Sequence, residues 1–241
     1  MTHHARTGVA IVGFALAAGL TVRADFASAI RAAMGPYYAA LTASERGDPE
    51  STQRDLVLLS AQWDQVRREE LPSALKADPQ WRTDVLKIDE IIRQTRELVR
   101  LRNLPKAHIE LEGLRLVLRQ ARGRHNLLVL DDWLTDYHEA LERVSVRASM
   151  QNEIVLADAD FVEMRRDLSR AETLWADVER EAGALASQPA WASAARRITA
   201  AQIDLDLGLT RRDGAAIART AEALKAAYHD LLVALSRADR S

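Results

Sequence analysis

The chain contains no cysteine, which excludes disulfides, thiol catalysis, covalent c-type haem and a thiol-linked lipid anchor, so packing alone must hold it together. Glycine and proline are scarce, ten and six in 241 residues, and no stretch sustains the period-two alternation of a half-buried strand. Neither sign of charge is in large excess: 33 basic residues stand against 35 acidic ones, and no long basic run marks a nucleic-acid surface. Also missing are a glycine-rich phosphate loop, a nucleophile elbow, a His-Glu-x-x-His segment and a serine-based triad signature, so the chain is expected not to be an enzyme.

The N-terminus is the first feature that is present. His3, His4 and Arg6 precede an uncharged run from Thr7 to Val22, followed by Val22-Arg23-Ala24 and Ala27-Ser28-Ala29. A charged start, a short apolar stretch and a small-residue cleavage site describe a secretory signal peptide over residues 1–24, cut after Ala24 or, as second choice, Ala29. The run is shorter than the roughly 20 residues that cross a bilayer, so no permanent membrane span is expected after cleavage. Cleavage removes two arginines and no acid, leaving 31 basic and 35 acidic residues on a periplasmic or secreted chain.

The rest of the chain is written twice. Trp63-x-x-Val66-x-Arg68-Glu69 and Pro79-x-Trp81 return as Trp175-x-x-Val178-x-Arg180-Glu181 and Pro189-x-Trp191, so four of the five tryptophans fall on matching positions. Beyond the second tryptophan the match runs without a gap: Lys87-Ile88 answers Arg197-Ile198, Arg102-Asn103 answers Arg212-Asp213, and Glu112-x-Leu114-Arg115 answers Glu222-x-Leu224-Lys225. Tyr37-Tyr38-x-Ala40-Leu41 against Tyr137-His138-x-Ala140-Leu141 extends the likeness to the first helix of each unit. Repeats 25–125 and 131–238 follow. Their tryptophans are read as bulky packing elements near a connector.

Within each unit the signals are helical. Trp81, Val85, Ile88, Ile92, Leu98 and Val99 recur at helical spacing while Arg82, Asp84, Glu90, Arg93 and Arg96 take the other faces. Asp48-Pro49-Glu50 supplies an N-cap, a first-turn proline and an early acid. Such signals predict helices near 25–46, with a kink site at Gly35-Pro36, then 49–70, 79–102 and 105–122. The second unit gives 132–150, 155–184, 189–210 and 213–236. Four long helices joined by short turns pack antiparallel, so the fold class is all-α, as two tandem four-helix-bundle-like repeats. The alternative is one continuous helical stack sharing a core.

Ala223-Leu224-Lys225-Ala226-Ala227-Tyr228-His229, preceded by Arg212-Asp213-Gly214, resembles the last helix of the periplasmic four-helix-bundle b-type cytochromes, with cytochrome c′ a more distant relative. The resemblance is closest in that helix and otherwise topological. It implies haem b held between a methionine in a first helix and a histidine late in a fourth. Met34 and His125 are the matching residues of unit one, although His125 lies beyond Gly123, past the expected helix end; unit two has His229 but no methionine in its first helix before Met150.

Two histidines share a pattern that suits a transition metal: His108-x-x-x-Glu112 and His138-x-x-x-Glu142 each place imidazole and carboxylate one helical turn apart. All four lie on the flanks of their apolar stripes, where a solvated face is the plain alternative. With a connector near 123–131, Glu112 is level with Glu142, whereas His108 and His138 are roughly 13 Å apart along the helices, so one ion cannot take all four. Asp136 and Glu139 lie nearby. Arg115, Arg119, Arg122 and Arg124 are expected to form a solvated basic edge. The expected function is binding of an envelope partner protein or a small ligand, the alternative a transition-metal- or haem-binding accessory role in the periplasm.

Overall fold

Several helices in this chain begin where an Asp or Asn side chain accepts a free backbone N–H. The computed structural model describes residues 12–150 and 157–238. Among them are nine α-helices and no strand: α1 (Val12–Glu45), α2 (Pro49–Arg68), α3 (Ser73–Lys76), α4 (Trp81–Arg100), α5 (Leu104–Gly123), α6 (Leu130–Met150), α7 (Asp158–Glu181), α8 (Pro189–Arg211) and α9 (Gly214–Ala238). Asp48 accepts from the Ser51 amide at 2.9 Å, Asp213 from Ala216 at 2.9 Å and Asp132 from Val129 at 2.9 Å. Such caps are each worth about 1 kcal/mol.

Two helix ends are closed alike. Arg102 and Arg212 sit in the left-handed region at φ 56° and 54°. After them the Asn103 amide returns to Leu98 O at 2.9 Å and the Asp213 amide to Gly208 O at 3.0 Å. This is the Schellman closure, made without the usual glycine and held by side chains: Arg102 pairs with Glu50 at 3.2 Å and Arg212 with Asp158 at 2.6 Å.

The structure departs from expectation in three places. The connector after α2 contains the short helix α3, and Gly183–Ser187 forms a 3-10 turn after α7. Helix α1 runs unbroken through Gly35-Pro36. Of the expected signal peptide, residues 1–11 lie outside the described residues, as does the expected α7 start at 155. No helix among the described residues is long and apolar enough to cross a membrane.

The helices stack as two layers. One layer runs α2, α1, α9, α8 and the other α4, α5, α6, α7, with each helix touching its neighbours in the layer and the one opposite. Chain direction alternates at every turn, so neighbours are antiparallel. A single hydrophobic cluster runs from Phe26 to Leu235. Trp63, Trp81, Trp175 and Trp191 are all buried. The Trp63 indole donates to Asp89 at 2.8 Å and the Trp175 indole to Thr199 at 3.2 Å, each from the second long helix of a unit to the third.

A charged seam and the cavity at its end

One face of α5 carries His108, Glu112, Arg115, Arg119 and Arg122, spaced three or four residues apart, and presents them to α1, α6 and α9 in the middle of the array. At the near end the Ser44 hydroxyl lies 3.1 Å from His108 Nδ1, and Leu41 O is 3.2 Å from the same nitrogen. Glu112 is the hub. Its carboxylate stands 3.7 Å from His108 Nε2 and 3.2 Å from His138 Nε2, and the buried Arg115 guanidinium contacts it directly. Burial alone would push this carboxyl up, but the His138 hydrogen bond and the charges of Arg115 and the imidazoles outweigh it and hold it down at about 2.

Arg115 reaches on to the Tyr228 hydroxyl at 3.4 Å, and that hydroxyl donates to Leu134 O at 3.2 Å. Burial pushes Tyr228 up to about 12 and holds Tyr37 and Tyr38 well above the ordinary phenol range, so all three stay protonated. Tyr38 donates to Asp131 at 2.6 Å. Among the described residues the Tyr37 hydroxyl and His138 Nδ1 are buried without a hydrogen-bond partner.

The far half of the seam is ion-paired. Arg119 clamps Asp136 at 2.9 and 2.7 Å. Arg122 clamps Asp132 at 2.8 and 2.6 Å, both side chains nearly without solvent. Arg124 and His125, in the connector, grip Asp78 at 2.8 and 2.9 Å and hold its carboxyl down at about 2, with His125 the larger cause. The expected solvated arginine edge is therefore corrected: Arg115 and Arg122 are buried, and all four arginines have a carboxylate partner.

The four expected metal residues divide unevenly. His108, Glu112 and His138 come together, while Glu142, level with Glu112, stays exposed. The connector-based register holds for Arg119 with Asp136 and Arg122 with Asp132, but Glu112 leans one turn toward the connector and meets His138 instead. Arg115 already occupies the carboxylate that a cation would need. Among the described residues no group of three or more His, Cys, Asp or Glu side chains is arranged to hold a metal ion. Nor do the residues fit haem: Met34 is packed in the core, and His125 Nε2 is engaged by Asp78.

At one end of the array, beside residues 26–38 of α1, lies a cavity of about 590 Å3. Phe26, Ile30, Leu75, Leu127, Leu185 and Leu235 supply apolar wall, and Tyr38, Asp131 and Arg122 bring the end of the seam to its surface. Sequence reading missed this cavity because its walls come from α1, α3, both connectors and α9. The Tyr37-Tyr38 pair was visible only as part of the repeat. No family model, curated protein or solved structure matches the chain.

Proposed function

We propose that the protein is an extracytoplasmic, non-enzymatic binding protein that encloses a small, mainly apolar ligand in the cavity at the end of its helical array. The reading rests on the cavity itself: about 590 Å3 falls within the roughly 300–1,000 Å3 of small-molecule sites, and its apolar wall residues are joined by Arg31, Tyr38, Arg122, Asp131, Glu181 and Gln188. Each Å2 of ligand surface removed from water contributes about 25 cal/mol to holding it. The signal-like N-terminus supports export. Cleavage after Ala24 rather than Ala29 agrees with Phe26, which walls the cavity and packs edge-on against Trp81 at 6.0 Å.

Titration with the neutral fluorescent probe N-phenyl-1-naphthylamine tests this reading. Saturable one-to-one binding is expected, and Leu185→Trp, which fills the cavity from a half-buried position, should abolish it while the far-UV spectrum stays native. Absence of saturation, or equal binding by the variant, refutes the proposal. A second reading, a metal or haem accessory protein of the kind the cytochrome resemblance implies, draws on the meeting of His108, Glu112 and His138. Arg115 on the same carboxylate weighs against it. Stoichiometric metal or a Soret band in protein isolated from the periplasm would decide for it.

A further inference from the structure

Along the outer edge of the array, α2 and α4 frame an open groove of about 1070 Å3. Arg54 and Arg67 stand on one bank, Arg93, Arg96 and Arg100 on the other, and Arg102 at the end. Six arginines face four carboxylates there, in a chain whose formal net charge is −2. Those carboxylates are already engaged: Glu50 with Arg102 at 3.2 Å, Glu97 with Arg100 at 2.5 Å, Asp64 and Asp89 with Arg67 at 3.7 and 3.3 Å. Arg93 turns to Glu90, outside the groove, at 2.5 Å. Arg54 reaches only the Ser51 hydroxyl at 2.9 Å, and Arg96 has no ion pair among the described residues. Between the banks Val57 is 49% exposed, beside Trp63, Ile92 and Val99.

The other edge of the array supplies an internal control. The same alignment on the tryptophans keeps Arg54 and Arg102 as Arg166 and Arg212, but sets Arg67 against Glu179, Arg93 against Ile203, Arg96 against Asp206 and Arg100 against Thr210. Helices α7 and α8 pack together without the replaced arginines, so the helix pair does not require them.

We infer that the α2–α4 groove is a docking site for an acidic amphipathic helix of a partner protein, whose apolar side rests on Val57 and its neighbours and whose carboxylates pair with Arg54 and Arg96. Arg93, Arg96 and Arg100 cover about 10 Å of α4, two turns, which matches acids repeated at i, i+3 and i+7 on a partner helix. A continuous polyphosphate fits less well, because the interleaved carboxylates would meet its charge at several points and the exposed valine would remain uncovered.

Fluorescence anisotropy on the full chain tests the inference, with a labelled helical peptide of about 15 residues bearing leucine on one face and glutamate on the other. Binding that weakens with salt is expected, and Arg54→Gln with Arg96→Gln should lower affinity roughly tenfold, as two carboxylate contacts would. Asp206→Asn on the opposite edge should leave affinity unchanged. The inference is overturned if the double variant binds as the parent does, if a lysine version of the peptide binds equally, or if single-stranded DNA of the same charge binds more tightly. Leu185→Trp should not affect this binding, so the groove and the cavity fail or stand separately.

Discussion

Residues 26–123 and 130–238 close their helices alike yet fill the space between them differently. Where the third and fourth long helices of each unit cross, aligned positions hold Leu98 and Ala107 in the first and Gly208 and Ile217 in the second. A Cβ on Gly208 would come within 3.2 Å of Ile217 Cγ1, so the small residue has changed sides and the large one with it. At the seam the positions aligned with Arg122 and Asp132 hold Leu232 and Ala32. The junction of α5 with α6 thus carries a buried ion pair, whereas the aligned positions on α9 and α1 carry apolar side chains. Helix packing constrains the filled volume tightly and its chemistry loosely.

Disturbing the ion pair should have the largest effect. Asp132→Ala alone leaves the Arg122 guanidinium buried without its counter-charge and should destabilise by about 3–5 kcal/mol in urea unfolding. Adding Arg122→Leu copies the junction of α9 with α1 and should recover most of the loss. If the double variant is as unstable as the single one, the two junctions do not solve one packing problem in two ways.

A smaller effect is expected at the helix crossing. Gly208→Leu should destabilise by about 1–3 kcal/mol through overpacking, and Ile217→Ala added to it should restore stability by recreating the first unit's arrangement. No rescue would mean that the two crossings differ in geometry.

The smallest effect is a pH dependence. The Glu112 carboxyl lies at about 2 in the folded chain against an ordinary 4.5. It therefore contributes stability that is fully present above pH about 4.5 and is lost as pH falls toward about 2, because the unfolded chain takes up the proton first. Glu112→Gln should flatten that part of the acid-unfolding profile, whereas Glu222→Gln, at the aligned but exposed position, should leave it unchanged. Equal responses would mean that the seam does not stabilise the Glu112 charge.

Helices, caps and the paired tryptophans were legible because their causes are local: Asp48-Pro49 and Asn103-Leu104-Pro105 start helices whatever lies opposite. α3 was not, since four residues carry too little periodicity to register. The seam was half legible. The His-x-x-x-Glu spacing put His108, Glu112 and His138 on the flanks of their helices and left open whether those flanks face each other. The lean of Glu112 toward His138 was not legible, and Arg119 and Arg122 were expected in solvent because their partners lie on another helix. The cavity had no sequence signature of its own, since five separate segments wall it.

The contact between α1 and α9 has a consequence for how the molecule is made. Helix α1 is made before α9, its neighbour in the array, so a nascent chain lacks part of its interior until α9 has been added.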